Sequence, residues 1–260
     1  LCRSSAASDV YKRQDFIPVA RYSDMLLNPG KNFTFNGQTY QYPNIKLVYW
    51  AGGNPFHHQM NLSKLRKATF KPDTIITNEI WWNSLARHAD IIFPTTTTLE
   101  RNDIGFRHWE QTVSPMHKAI DPIGNSRNDF DIFSLISEKL GIKEQFTENK
   151  NEEEWLKTLW DEAKESAREN NFYLPDFDQF WNGGFFEVLK PTHEQILMED
   201  FVKKPKQFPL SNRSKKIEIF SDEVDSFNYS DCPGHPQWLE PKEWLGSNIT
   251  KKYPLHLISG

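Results

Sequence analysis

Three short apolar runs constrain this chain more than any other feature. Residues 47–50 (LVYW), 74–77 (TIIT) and 91–93 (IIF) are rich in β-branched and aromatic side chains, and Gly, Pro, Asn or Asp bounds each run. Buried strands punctuate a sequence in this way. Between the first two runs, residues 61–68 (NLSKLRKA) place Leu62, Leu65 and Ala68 at helical spacing. Between the second and third, residues 81–87 (WWNSLAR) are also compatible with a helix. Strand, helix, strand, helix, strand predicts an α/β fold: a doubly wound parallel sheet with crossover helices. The rest of the chain reads as a mixed α+β remainder.

Such sheets bind ligands in the crevice outside the carboxyl ends of their strands. Here those ends carry Gly52-Gly-Asn-Pro-Phe-His-His58, then Asn78-Glu79, then Thr95-Thr-Thr-Thr-Leu-Glu-Arg101. A hydrophobic core does not need amides, imidazoles, hydroxyls, a carboxylate and a guanidinium at one edge. A polar, phosphate-bearing ligand does, so the edge reads as a nucleotide-like site. Polar atoms of Asn54, Glu79 and Arg101 are expected to line one crevice there. Four consecutive threonines supply hydroxyls and backbone N–H groups, and Arg101 offers a planar fork suited to phosphate or carboxylate.

Plainer readings stand beside these. A Gly-Gly turn serves any strand-to-helix connection. His57 and His58 have no carboxylate or Cys partner at metal spacing, so one of them either bonds a phosphate or ribose or packs as a polar core residue. Trp81 and Trp82 read as packing aromatics rather than a stacking platform. Arg87-His88-Ala89-Asp90 holds a His and an Asp, but no motif positions a nucleophile, and a charged surface explains it better. No catalytic residue and no metal ligand is assigned.

The net charge of −4 gives no reason to expect nucleic acid or an anionic membrane as a partner. No apolar run approaches the ~20 residues of a membrane span. Cys2 and Cys232 form no metal-binding or iron–sulfur spacing. The opening LCRSSAASDVYKRQ has neither the apolar core nor the cleavage site of a signal peptide. It resembles translated library-adapter sequence, so residues 1–14 are expected to make few contacts, Val10 and Tyr11 included. The chain is read as a fragment.

Along the remainder, residues 23–27 form a short helix candidate, and Asn36-Gly37 signals a hairpin leading into the first sheet strand. Residues 112–120 read as a strand broken by Pro115. A helix over 129–140 is stopped by Gly141. Acidic residues in its first turn suit the helix dipole, which accounts for Asp129 and Asp131 structurally. A carboxylate there could equally accept the N1–H and 2-amino donors of a guanine. Asn151-Glu-Glu-Glu154 has the spacing of a capping box, and Trp155, Leu156, Leu159, Trp160 and Ala163 follow as an apolar stripe. A short aromatic helix over 176–181, an exposed loop over 203–216, a strand at 217–220 and a last strand from 253 complete the reading.

At GGNPFHH (52–58), NEIWW (78–82), ARHADIIFPTTTTLERNDIG (86–105) and NDFDIF (128–133), the chain resembles the dimethyl sulfoxide reductase family of molybdenum enzymes. The likeness is to its trimethylamine-N-oxide, dimethyl sulfoxide and biotin sulfoxide reductase branch. It extends from IPVARYSDMLLNPG (17–30) through SKKIEIFSD (214–222) and DCPGHPQWLEPKEWLG (231–246) to PLHLISG (254–260). The resemblance implies a bis(molybdopterin guanine dinucleotide)molybdenum cofactor and two-electron oxygen-atom transfer from an N-oxide or S-oxide, in anaerobic respiration. It also implies a small-molecule oxide substrate, a cytochrome-type electron donor and a periplasmic location, or a cytoplasmic one if the chain is closest to biotin sulfoxide reductases. By motif match Asn54, His58, Asn78 and Glu79 would contact the cofactor, Arg101 would sit near its phosphates or ribose, and Asp131 on its guanine. The serine that ligates molybdenum in that branch lies upstream of the matched segment.

Residues 15–44 are read as a hairpin-containing lead-in and 45–141 as the α/β domain holding the guanine dinucleotide. Residues 142–250 are a helical, loop-rich segment, and 251–260 the start of a truncated C-terminal dinucleotide-binding domain. A non-catalytic nucleotide-binding α/β module is the alternative.

Overall fold

The structure is a computed structural model that describes residues 16–106, 112–169, 172–188, 196–241 and 243–256. The expectations for residues 1–14, Val10 and Tyr11 included, and for 257–260 fall outside those residues. In chain order the helices are α1 (Tyr22–Leu27), α2 (Pro55–His58), α3 (Leu62–Thr69), α4 (Asp129–Lys139), α5 (Lys143–Thr147), α6 (Glu152–Glu169), α7 (Phe177–Gly183), α8 (Glu199–Lys203) and α9 (Asp222–Ser226). The strands are β1 (Asn32–Phe35), β2 (Gln38–Gln41), β3 (Leu47–Ala51), β4 (Thr74–Glu79), β5 (Ile91–Pro94), β6 (Asp103–Phe106), β7 (Thr112–Met116) and β8 (Phe186–Glu187). The fold is mixed α/β, with separate parallel and antiparallel sheets. The described residues fall into two compact units, drawn from Leu1–Lys31 with Gln41–Glu194 and from Asn32–Tyr40 with Gln195–Gly260.

In the larger unit the three apolar runs form a parallel sheet in the order β3-β4-β5. Ala51 pairs with Asn78, and Glu79 pairs with Pro94, so all three carboxyl ends reach the same edge. The central strand β4 buries Ile75 and Thr77 completely or nearly so. The first crossover is the expected helix, α3. Asn61 caps it from the left-handed region (φ 56°), its side chain accepting from Lys64 N at 3.1 Å. Leu65 and Ala68 are fully buried, and Lys64 pairs with Asp24 of α1 at 2.6 Å.

The second crossover differs from the expectation. Residues 81–87 form no α-helix; a turn leads to a single 3-10 turn at Ala86–His88. A turn fixed by side chains occupies the start of the segment, and helical hydrogen bonding begins only at Asn83, with Arg87 N on Asn83 O. Glu79 accepts from Ile80 N and Trp81 N, and Asn83 accepts from Ala86 N at 3.0 Å. Short polar side chains compete with the helix in this way. Trp81 and Trp82 consequently do not pack: they are 69% and 66% exposed.

The antiparallel sheet runs β6-β7-β8. Strand β7 passes through Pro115 but ends at Met116, short of residue 120. Among the described residues β8 pairs only with Thr112 and Val113, so no described strand flanks that side of β7 at Pro115, where a residue without an N–H is tolerated. Against this sheet lies a core of Val113, Trp160, Leu174 and Phe180. The capping box forms as expected: Asn151 N donates to Glu154, and Glu154 N donates to Asn151 Oδ1 at 2.9 Å. Helix α4 ends in a Schellman motif, with Ile142 N on Ser137 O, Gly141 N on Glu138 O, and Gly141 at φ 73°.

In the smaller unit Asn36 (φ 49°) and Gly37 (φ 73°) turn the β1–β2 hairpin, both with positive φ as a type I′ turn requires. A Cβ on Gly37 would meet the Phe227 ring at 2.5 Å, and Gly37 N donates to the Tyr229 hydroxyl at 3.0 Å. Residues 217–220 form no strand, because no described strand pairs with them; Ile217 and Ile219 stay exposed. Residues 253–256 likewise form none. Helix α8 lies just before the basic loop expected over 203–216.

Trp160 and Phe180 stack with ring centroids 3.7 Å apart, and Phe180 is 1% exposed. Phe180→Ala is therefore expected to lower the unfolding free energy by about 3–5 kcal/mol. Urea unfolding followed by tryptophan fluorescence measures this, and a loss below about 1 kcal/mol would show that the site collapses around the gap.

Candidate functional site at the carboxyl edge of the parallel sheet

At the end of β3 the chain turns at Gly52-Gly53 into α2. Asn54 caps that helix, its Oδ1 accepting from Phe56 N at 3.0 Å. Its Nδ2 donates to Ser84 Oγ at 3.3 Å, and the residue is 7% exposed. His57 and His58 follow in the same turn and are exposed. His88 and Asp90 are not a pair. His88 stacks on Phe56 with its Nδ1 2.7 Å from Ser84 O, whereas Asp90 accepts from Ile75 N of β4.

Asn78, at the end of β4, is turned inward and 5% exposed. It accepts from the Tyr49 hydroxyl at 2.8 Å and donates to Asp129 Oδ1 at 2.7 Å. Burial, then the Asp129 charge, raises the Tyr49 phenol above its ordinary value, against the lowering by its bond to Asn78. Glu79 is partly exposed and held by its own turn: one oxygen accepts from Ile80 N and Trp81 N, the other from Asn83 Nδ2 at 2.6 Å.

The threonine loop after β5 is tied down at several points. Thr95 bridges to Arg127, Thr96 N donates to Arg127 O, and Thr96 Oγ1 donates to Asn128 Oδ1 at 2.7 Å. Asn128 in turn donates to Glu152 at the start of α6. Burial raises the Glu152 carboxyl; the Asn128 bond lowers it, and nearby Asp131 raises it further. Arg101 donates to Thr96 O at 3.2 Å and to Asp103 Oδ2 at 3.0 Å. It lines a small cavity of about 170 Å³ with Asp103, Asn128, Asp129 and Glu152.

Between Thr96 and Arg101 lies a residue that the sequence reading passed over. Glu100 is 3% exposed and takes part in no ion pair among the described residues. Its Oε2 accepts from Thr97 N and Thr97 Oγ1, both at 2.7 Å. Its Oε1 accepts from Ile123 N at 2.6 Å, with Ser126 Oγ at 3.3 Å. These donors, the Thr97 and Ile123 amides first, outweigh desolvation and hold its carboxyl down at about 2, against an ordinary 4.5. The Thr-x-x-Glu spacing of Thr97 and Glu100 was the available signal.

Helix α4 presents two carboxylates with different fates. Asp129 is engaged by Asn78, whereas Asp131 is exposed and carries no hydrogen bond within the described residues. Asp131 lines an open, polar cavity of about 860 Å³ with Arg127, Ser134, Lys143, Asn149 and Lys150. Thus Asn54, Glu79 and Arg101 share one sheet edge by register, but their polar atoms belong to separate local networks. Arg101 and Asp131 line adjacent cavities that share Phe130; Asn54, His58, Asn78 and Glu79 line neither. Among the described residues no group of three or more His, Cys, Asp or Glu could hold a metal ion, and no helix is long and apolar enough to cross a membrane. Cys232 is a free, exposed thiol.

Residues 4–139 match the molybdopterin oxidoreductase family. The chain belongs to that family. It is 44% identical over 247 residues to the trimethylamine-N-oxide reductase of Haemophilus influenzae, covering 93% of this chain and 30% of that protein. It is 42% identical to the dimethyl sulfoxide/trimethylamine N-oxide reductase of Cereibacter sphaeroides, covering 94% of this chain and 30% of the relative. It is 40% identical to the biotin sulfoxide reductase of the same organism, covering 99% and 34%. The chain therefore spans about a third of the length of these relatives. Among solved structures, acetylene hydratase from Pelobacter acetylenicus shares the fold, with a TM-score of 0.54 at 17% identity, over 82% of this chain and 26% of that one. The resemblance carried by the sequence motifs is borne out.

Glu100 makes stability depend on acid. A carboxylate whose folded value is depressed contributes stability that is present above its unfolded value and lost as pH falls through the folded one. Glu100→Gln is expected to melt below the wild type at neutral pH. The gap should narrow as pH falls from the ordinary 4.5 towards about 2. Melting temperatures of both proteins across that window check this, and a gap independent of pH would show that the charge of Glu100 is irrelevant.

Proposed function

We propose that this chain is the part of a molybdenum-dependent oxidoreductase that holds the guanine dinucleotide end of a bis(molybdopterin guanine dinucleotide) cofactor. The whole enzyme would reduce an N-oxide or S-oxide by oxygen-atom transfer. Family membership and the three reductase relatives support the reaction class. The observation that carries the binding role is Asp131: an exposed carboxylate without a hydrogen-bond partner among the described residues, on an open cavity lined also by Arg127, Lys143 and Lys150 and by Glu144 and Glu154.

An exposed carboxylate acceptor suits a guanine nucleotide. Guanine presents two adjacent donors, N1–H and the 2-amino group, and a carboxylate can accept both as a bidentate pair. Adenine lacks that pair on the same edge, so Asp131 would discriminate between bases as well as bind. Of the cationic groups beside it, Lys143 and Lys150 are already paired with Glu138 and Glu148, and the Arg127 guanidinium suits phosphate. Arg101, close by on the threonine loop, would serve the phosphates or ribose. Asn54, His58, Asn78 and Glu79 complete the proposed cofactor edge. Asn54 and Asn78 would act mainly by fixing the loops, since their amides are already used internally. The bound molybdenum centre supplies the two-electron chemistry; these residues bind and orient its nucleotide arm.

Asp131→Asn keeps the side-chain shape but sets an amide donor against the donors of guanine. In the complete enzyme we expect poor cofactor retention with folding little changed, because a hydrogen bond to a charged group is worth about 1.5–3 kcal/mol. Molybdenum and guanine content per purified polypeptide, beside the melting temperature, checks this. Full occupancy with a small loss of stability would leave Asp131 as a helix-dipole residue only.

A further inference from the structure

Glu100 is a buried carboxylate to which neither the resemblance nor the guanine reading gives a role. It clamps two segments that the chain brings together from a distance: the loop after β5, through Thr97, and the turn before α4, through Ile123. Arg101 follows directly on the first segment. Asp131 stands in the first turn of the helix that the second segment leads into. The contacts flanking the clamp run the same way: Ala119 N and Ile120 N donate to Leu99 O, and Arg127 N donates to Pro94 O.

We propose that Glu100 is a positioning residue that fixes Arg101 relative to Asp131, and so sets how the edge grips phosphate and guanine at once. This rests on the guanine reading of Asp131. A carboxylate is suited to the task because each oxygen serves one segment, and all its bonds are charge-assisted. An amide in its place would keep one acceptor and turn a donor towards the N–H groups of Thr97 or Ile123. One of the two segments would lose its anchor.

The test uses the purified 260-residue chain, with guanosine diphosphate and inosine diphosphate as probes in calorimetric titrations well below the melting temperature. Inosine lacks the 2-amino group, so the ratio of the two affinities reports how well Asp131 meets the base. Partial unfolding lowers both affinities equally and leaves that ratio unchanged. The wild type is expected to prefer the guanosine nucleotide by about tenfold or more. Glu100→Gln should weaken binding and bring the ratio to within about twofold, and adding Glu100→Gln to Asp131→Asn should cost no further preference. If Glu100→Gln lowers both affinities equally and keeps the ratio, Glu100 is structural only and the proposal is overturned while the guanine reading stands. If the wild type binds neither nucleotide, or shows no preference, the guanine reading falls and the positioning role falls with it.

Discussion

Parallel pairing of three strands is the constraint from which the rest of the edge follows. Parallel neighbours cannot be joined by a tight turn, so each connection must cross over and return to the starting end. With Ala51 opposite Asn78 and Glu79 opposite Pro94, the chain leaves the sheet three times at one edge. Asn78 and Glu79 end β4 at that edge, Asn54 and Arg101 lie on the loops that leave β3 and β5, and Asp131 stands on α4. The buried amide of Asn78 then joins this edge to α4 by bonding Tyr49 on one side and Asp129 on the other.

What the sequence showed clearly were features enforced locally. The Asn36-Gly37 turn, the capping box at Asn151 and the Gly141 stop each depend on residues within a few positions, and all form; the three strands form too, marked by their apolar runs although they pair 15–27 residues apart. The failures have a common cause, which is a partner that periodicity does not reveal. Residues 81–87 carry a helical pattern, but Glu79 fixes a turn at their start and Asn83 caps only a single 3-10 turn. Residues 217–220 alternate like a strand, and no strand among the described residues pairs with them. Trp81 and Trp82 look like core residues only if a helix buries them.

The candidate site was legible in its residue types and less so in their division of labour. Asn54, Asn78 and Glu79 were read as ligand contacts, yet each spends its polar atoms on a cap, a cross-link or a turn. Asp129 and Asp131 are alike in sequence, and only the reach of Asn78 distinguishes the occupied carboxylate from the open one. Glu100 escaped notice because an acid beside an arginine reads as a surface pair. Its charge is in fact answered by donors 3 and 23–26 residues away in the chain.

That arrangement has a consequence for behaviour in salt. Exposed pairs such as Lys118 with Asp121 and Lys143 with Glu138 are attractions between full charges in water, and dissolved ions screen them. Glu100 is held by N–H and O–H dipoles at contact distance and out of solvent, where mobile ions do not reach. Raising ionic strength should therefore loosen those exposed pairs while the threonine loop keeps its order, a stiff segment set in a surface that answers to the medium.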